Sequence, residues 1–290
     1  MNGQTIIITG ASRGIGRAMA EALAGQGNTI IMACRNAAQA RDAASAIAAA
    51  IIDPMTANSG TGRGCVIEVM ELDLASFDSI RKFAGEIENR KIRPHVLVNN
   101  AGVLCRTYGE TVDGFERTLQ VNYLGPFLLT SLLLPFIRDN GGQIINMSSL
   151  IFRMGRADDR LFGMNGNNYD RFKAYADSKL ALLLFSYELA ERLTGRGIRV
   201  NSVDPGIVDT NIITMHGPID PLVDFLFRPF IRNPEQGAAT CVYLARNDMA
   251  DQPNGQFFRN KRIRRLSDRY VRHPLRKELL RKTGELLGIS

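Results

Sequence analysis

The chain alternates short apolar runs with longer segments whose apolar residues recur every three or four positions. Thr5-Ile6-Ile7-Ile8-Thr9, Thr29-Ile30-Ile31-Met32-Ala33-Cys34, Cys65 to Leu72, Val96-Leu97-Val98, Gln143 to Met147 and Arg199 to Val203 read as strands. The first is apolar throughout and suits a strand buried on both faces. Helical patterns lie between them. One follows Gly16 through Met19, Ala22 and Leu23. A second is the alanine-rich stretch from Ala37 to Ala50. A third runs from Ser76 to Asn89, with Ile80, Phe83, Ala84 and Ile87 on one face. A long fourth spans Asp113 to Arg138 with Asn122 in its middle. The fifth passes Tyr175 and Lys179 and continues through Leu180, Leu183, Leu184, Tyr187 and Leu193 to a stop at Gly195 and Gly197. Residues 53–64, with Pro, Asn, Ser and three Gly, read as a loop, and Leu150 to Asn168 as an irregular insertion. Strand alternates with helix without a long linker. This predicts the α/β class: a single doubly wound domain whose central parallel sheet of about seven strands is flanked by helices.

Ligands of such sheets bind at the carboxyl ends of the strands. The first strand ends in Gly10-Ala11-Ser12-Arg13-Gly14-Ile15-Gly16, a glycine-rich turn that opens a helix. Outward-pointing N–H groups and close backbone approach make that turn an anion site, here read as a pyrophosphate cradle. The second strand ends Cys34-Arg35-Asn36, with no acid to hold a ribose 2′-OH. Arg35, with Arg13 as a second cation, suits a 2′-phosphate, which favours NADP(H) over NAD(H). Asp73, after the third strand, can accept from an adenine amine or cap the next helix. Asn99-Asn100-Ala101-Gly102, after the fourth, lets a flat ring lie on the backbone. Tyr175 and Lys179 stand four residues apart and share a helix face. A phenol titrates near ~10, and a neighbouring ammonium favours its ionised form.

Composition changes the picture little: 45% hydrophobic and 22% charged residues over a length of 290 suit one large globular domain. No apolar run is long enough to span a bilayer. Met1-Asn2-Gly3-Gln4 lacks the basic region of a secretory signal. Cys34, Cys65, Cys105 and Cys241 are scattered without a C-x-x-C pair, as in the reducing cytoplasm, and no metal site is expected. Charge is more informative. From Arg259 to Lys282 there are eleven Lys or Arg against two Asp or Glu, a local +9 within a net +7, so the rest of the chain carries about −2.

With these residues in view, the chain resembles the short-chain dehydrogenase/reductase family from about Gly3 to Phe258. The motifs are Thr9-Gly10-x-x-x-Gly14-x-Gly16, Asn99-Asn100-Ala101-Gly102, Asn122, Ser149, Tyr175-x-x-x-Lys179 and Pro205-Gly206. Ala33-Cys34-Arg35-Asn36, Asp113-Gly114-Phe115, Val121-Asn122-Tyr123-Leu124-Gly125, Gln256-Phe257-Phe258 and the long gap from Ser149 to Tyr175 are similar to its retinol-dehydrogenase-like branch. The resemblance implies a Rossmann-type fold and an oxidoreductase that interconverts a carbonyl and an alcohol. Tyr175 would be the general acid/base. Lys179 would lower the Tyr175 pKa and hold the nicotinamide ribose. Ser149 would hold the substrate oxygen, and Asn122 would order a water. Cofactor contacts would come from Gly10, Ser12, Arg13, Gly14, Ile15, Gly16, Arg35, Asn36, Asp73, Leu74, Asn100, Ala101, Gly102, Tyr175, Lys179, Pro205, Gly206, Val208 and Thr210. Two features depart from the branch: Asp204 where His often precedes Pro-Gly, and a long stretch from Ala50 to Gly64. Neither is expected to touch the catalytic set. The branch's membrane-bound members carry an N-terminal anchor that is not seen here, so retinoid metabolism on a membrane is not implied.

Residues 1–258 are thus expected to form the catalytic domain, with an apolar substrate loop at 207–233, and 259–290 a basic extension. The loop, with Leu222, Val223, Phe225, Leu226, Phe227, Phe230 and Ile231, reads as a lid over a hydrophobic substrate, or equally as core or subunit contact. Leu275, Leu279, Leu280, Leu286 and Leu287 would form the buried side of a solvated basic helix, with peripheral contact to an anionic membrane through 259–287 as a second reading. No nucleic-acid partner is expected. A homodimer or homotetramer is open, as are NAD(H) and a non-catalytic nucleotide sensor. Against the sensor, Tyr175, Lys179, Ser149 and Asn122 are all intact.

Overall fold

Ile6, Ile7 and Ile8 have no exposed surface; Ile7 packs on one face of the sheet, and Ile6 and Ile8 on the other. That is why β1 (Thr5–Thr9) is apolar throughout. Each such side chain contributes roughly 1.5–3 kcal/mol on burial. The computed structural model describes residues 3–25, 27–52, 65–208, 232–246 and 253–289. Within them β1 is followed by α1 (Gly14–Leu23), β2 (Thr29–Cys34), α2 (Ala37–Ile52), β3 (Val66–Glu71), α3 (Phe77–Asn89) and β4 (Val96–Asn99). The second half holds α4 (Arg117–Leu119), α5 (Gly125–Leu133), β5 (Gln143–Met147), α6 (Arg171–Arg192), β6 (Arg199–Val203), α7 (Pro234–Arg246), β7 (Phe257–Arg259), β8 (Arg262–Ile263), α8 (Asp268–Val271) and α9 (Arg276–Leu287).

The sheet order is β3-β2-β1-β4-β5-β6-β7-β8. All neighbours are parallel except β8, which pairs antiparallel with β7. The order reverses beside β1, so the crevice between the carboxyl ends of β1 and β4 is the topological switch point where such sheets bind ligands. One core, with α1, α2 and α7, packs on the Ile6/Ile8 face. The other, with α3, α5, α6 and α9, packs on the Ile7 face. This is the doubly wound domain expected from the sequence, with eight strands in place of about seven. The eighth is two exposed residues, made by a reversal at Asn260 and Lys261, both with positive φ (54° and 58°).

The expected helix from Asp113 to Arg138 differs. It begins at Arg117, because Glu116 turns its carboxylate back onto the N–H groups of Thr118 and Leu119 (both 2.7 Å). One π-helical turn, Gln120–Leu124, then interrupts it before α5. Such turns displace a side chain from the regular helical stripe and recur at functional sites. Here the turn carries Asn122.

The basic segment folds back against the domain. Leu279, Leu280 and Leu287 are buried, while Leu286 is exposed and Leu275 half-buried. Arg276 donates to Glu188 Oε2 (2.9 Å), to the Val271 carbonyl (2.6 Å) and to Glu191. Thr283 Oγ1 and the Tyr123 hydroxyl are 2.7 Å apart and fully buried. Lys261, Arg262, Arg264, Arg265, Arg269 and Arg272 are exposed. Among the described residues no helix is long and apolar enough to cross a membrane.

Candidate active site

The expected cofactor residues gather at the carboxyl edge of the sheet. Gly10 takes a left-handed backbone (φ 67°), which a side chain disfavours. Gly16 is required by space. A Cβ there would lie 2.4 Å from the Gly10 carbonyl oxygen and 2.6 Å from Asn100 Nδ2. The turn is braced from β4: Asn100 Nδ2 donates to the Thr9 carbonyl (2.8 Å), and Thr9 Oγ1 accepts from the N–H groups of Asn100 (2.9 Å) and Ala101 (3.0 Å). The Asn100 side chain is therefore committed to holding the turn. Thr9, which opens the glycine motif but drew no role from the sequence, is the pivot of that brace. Ser12 Oγ donates to Gln39 (3.3 Å), and half-buried Ile15 lies with Val208 beside Gly237 of α7.

Arg13 and Arg35 stand exposed after β1 and β2, with no ion-pair partner among the described residues. Asn36 Oδ1 accepts from Gln39 N–H (3.0 Å) at the start of α2. Asp73 Oδ1 accepts from Ala75 N–H (2.9 Å), and Leu74 is buried. The Pro205 carbonyl accepts from Arg232 Nη1 (3.2 Å), and the Arg232 side chain lies over Gly206. Thr210 and the segment 209–231 lie outside the described residues, and with them all of the expected lid at 207–233 but its two ends.

The catalytic candidates converge from three elements. Asp170 caps α6, accepting from the N–H groups of Phe172 and Lys173 (both 2.9 Å), and the helix presents Tyr175 and Lys179 on one face. Lys179 Nζ lies 5.6 Å from the Tyr175 ring centroid and donates to the Met147 carbonyl at the end of β5 (2.8 Å). From the π turn, Asn122 accepts from Val103 N–H (2.8 Å) and donates to the Val103 carbonyl (2.9 Å) and Ser178 Oγ (3.1 Å). Ser178 Oγ in turn donates to the Tyr175 carbonyl (2.8 Å). Gly102 closes the ring. A Cβ there would sit 3.3 Å from Asn122 Oδ1 and 3.4 Å from Lys179 Nζ, so the bare backbone keeps a shallow cradle between them. Ser149 is half-buried and caps the 3₁₀ turn Leu150–Met154, its Oγ accepting from Ile151 N–H (3.5 Å). Its neighbour Ser148 is buried.

Electrostatics differ from the expectation in two ways. Burial, and then the charge of Asp204, push the Tyr175 phenol up to about 12. Lys179 is pulled down to about 8, because burial penalises its charge. Desolvation is the leading cause of both shifts. Asp204, expected to stand apart from the catalytic set, lies at the end of β6. It is buried and ion-paired with Arg259 (3.3 Å).

Asp177, between the two catalytic candidates, is also buried, and desolvation raises its carboxyl to about 6 although it accepts from Arg156 N–H (2.6 Å). A carboxyl raised in the folded chain contributes stability that is full below about pH 4 and is lost as pH rises through about 6. Asp177→Asn is therefore expected to stabilise the protein by about 1–2 kcal/mol at pH 7 and to flatten the pH dependence of its urea midpoint between pH 4 and 6.

Comparison with known proteins identifies the family. A family model described as short chain dehydrogenase matches residues 4–217. Human retinol dehydrogenase 14 is 39% identical over 268 residues, covering 89% of this chain and 78% of that protein. Among solved structures, an uncharacterised protein from Mycobacterium paratuberculosis superposes with a TM-score of 0.74 at 31% identity, covering 99% of this chain and 93% of the other. A blue fluorescent protein from a metagenomic library, solved in complex with NADPH, gives 0.66 at 28%, covering 88% and 95%. The chain belongs to the short-chain dehydrogenase/reductase family of oxidoreductases, in its retinol-dehydrogenase-like branch.

Proposed function

We propose that the protein is an NADP(H)-dependent oxidoreductase that interconverts a hydrophobic carbonyl compound and its alcohol, with Tyr175 exchanging the proton. The observation that carries this is the convergence of Tyr175, Lys179, Asn122 and Gly102 at the switch-point edge of the sheet. The residues fit a nicotinamide dinucleotide. The glycine turn at the start of α1 offers backbone N–H groups to a pyrophosphate, and Gly102 leaves a cradle beside Lys179 that a side chain would fill. When bound, that cofactor supplies or accepts the hydride. The chain supplies the rest. Gly10, Gly14 and Gly16 hold the phosphates; Lys179 holds the ribose. Ser149 orients the substrate oxygen toward Tyr175, which donates a proton to it in reduction and removes one in oxidation. The ring of Asn122, Ser178 and the Tyr175 backbone fixes the phenol's position.

Arg13 and Arg35, exposed and without an ion-pair partner among the described residues, support the 2′-phosphate form of the cofactor, as does the NADPH bound by one structural relative. The name of human retinol dehydrogenase 14 supports an apolar alcohol or aldehyde as the substrate class. In this reading residues 1–258 carry the chemistry and 259–290 brace it. Turnover by the purified chain is measured as NADPH oxidation with long-chain aldehydes and all-trans-retinal against small polar carbonyls. Apolar substrates are expected to lead, and a preference for polar ones sinks the substrate class. Arg35→Ala is expected to lower kcat/KM for NADPH about 10-fold or more, the worth of one charged contact, and to leave NADH nearly unchanged. Equal losses for both nucleotides would remove the 2′-phosphate assignment.

A further inference from the structure

α9 buries the stripe Leu279, Leu280, Thr283 and Leu287 against the domain, and Thr283 is the hydroxyl among these leucines. A buried hydroxyl needs partners, and this one has two. Thr283 Oγ1 donates its single proton to the Leu279 carbonyl one turn back (2.8 Å). It therefore accepts from the Tyr123 hydroxyl, 2.7 Å away. Tyr123 is fully buried and belongs to the π turn Gln120–Leu124, directly after Asn122. Other contacts hold the same turn. The Gly125 N–H donates to the Gln120 carbonyl five residues back, and Gln120 Nε2 donates to Asp113 Oδ2 (2.5 Å). Gly125 has no room for a side chain, since a Cβ there would lie 2.9 Å from the Leu74 carbonyl oxygen. Asn122 reaches the candidate site from this turn, accepting from Val103 N–H (2.8 Å) and donating to Ser178 Oγ (3.1 Å). We propose that Thr283 is a positioning residue: by accepting the Tyr123 hydroxyl it keeps the π turn in register and so fixes the Asn122 amide between Val103 and Ser178.

A π turn carries one residue more than the α-helix it interrupts, and it persists where its contacts outweigh the regular register. If the turn relaxed, the extra residue would pass to one flank and rotate that flank by about 100° around the helix axis. Tyr123 is bonded to α9 while its neighbour Asn122 is bonded to Val103 and Ser178, so both sets of bonds hold together only in the register observed. Two routes then join the last helix of the chain to the helix of Tyr175 and Lys179. One is the hydroxyl route, Thr283 to Tyr123 and, through the turn, Asn122 to Ser178. The other is made of rings. Tyr123 lies edge-on to Phe127 of α5 (6.1 Å between centroids), and Phe127 packs on Phe185 of α6 (4.7 Å). Removing a hydroxyl cuts the first route and leaves the second, so the two can be separated by experiment.

The value of this link for catalysis rests on the proposed function, so the first readout needs neither substrate nor cofactor. Asn122 Oδ1 protects the Val103 N–H, and hydrogen exchange of that amide in the full chain, resolved by mass spectrometry with fragmentation, reports where the Asn122 side chain is. Thr283→Val keeps the shape of the side chain and removes the acceptor. It is expected to speed Val103 exchange about tenfold, the equilibrium worth of one buried hydrogen bond. Thr283→Ser keeps the hydroxyl and is expected to restore the slow exchange. Tyr123→Phe removes the same bond from the other side and carries the test if Thr283→Val does not fold. Ile47→Val, a core truncation on α2 against the opposite face of the sheet, sets the change that a general loss of stability causes. Val103 exchange in Thr283→Val and Tyr123→Phe no faster than in Ile47→Val overturns the proposal, and so does a failure of Thr283→Ser to rescue. With NADPH and an aldehyde, kcat of Thr283→Val is expected to fall several-fold, with KM and NADPH affinity nearly unchanged and with recovery in Thr283→Ser. Faster Val103 exchange with an unchanged kcat leaves the positioning assignment standing and removes Asn122 from the proposed reaction.

Discussion

Tyr175→Phe is expected to lower kcat for aldehyde reduction by about 10²–10⁴-fold, the contribution of a positioned general acid, while the affinity for NADPH changes by no more than a few-fold. The substitution removes one oxygen. The ring keeps its place because the contacts that fix it are not made by the hydroxyl: Ser178 Oγ holds the Tyr175 carbonyl, and Asn122 holds Ser178. Lys179 keeps its own partner, the Met147 carbonyl. The variant therefore isolates the proton from the geometry. Cofactor affinity is read by NADPH fluorescence and turnover by absorbance at 340 nm. A variant with wild-type kcat would show that the phenol is a bystander.

Arg276→Met is expected to destabilise the folded chain by about 3 kcal/mol, measured from urea unfolding at pH 7. Arg276 and Glu188 are both nearly fully buried, and the guanidinium also holds the Val271 carbonyl and Glu191. Removing the cation leaves the Glu188 carboxylate in the interior, served by Arg192 alone (3.1 Å), whose side chain is largely exposed. Unpairing a buried charge, more than losing the attraction itself, sets the size of the effect. The double variant Glu188→Gln/Arg276→Met is accordingly expected to recover part of the loss. Turnover of the folded fraction is expected to change little, because Glu188 and Tyr175 are 13 residues, or about 20 Å, apart along α6. A loss below about 0.5 kcal/mol would mean that solvent reaches Glu188 freely.

The order of strands and helices was legible because continuous apolar runs and three-to-four-residue periodicity are local signals. The glycine turn and the Tyr175/Lys179 spacing were legible for the same reason. What stayed hidden depends on contacts between distant residues. β8 is two exposed residues, one of them charged, defined by pairing with β7, so no apolar run announces it. The π turn at Asn122 leaves the hydrophobic pattern of residues 113–138 nearly intact, since one extra residue per turn hardly disturbs a short stripe. Thr9 was visible as part of a motif, yet its brace to Asn100 and Ala101 spans more than ninety residues. The Tyr175 phenol was expected to be eased down by Lys179. Spacing shows that the two share a face; it does not show how much water the fold removes from them. Asp204 was noticed as a departure, but its burial and its pairing with Arg259 of β7 depend on contacts across the sheet.

The placement of α9 has a consequence for the order of synthesis. The residues it braces, Tyr123 beside Asn122 and Glu188 on the helix of Tyr175 and Lys179, are made well before Arg276 and Thr283. A ribosome-bound chain that has emerged only through β6 holds every catalytic candidate, but Glu188 has no Arg276 and the side of α6 that α9 covers is open. Until the segment that carries α9 clears the exit tunnel, that apolar side is open to chaperones, and the half that carries the catalytic candidates waits for it.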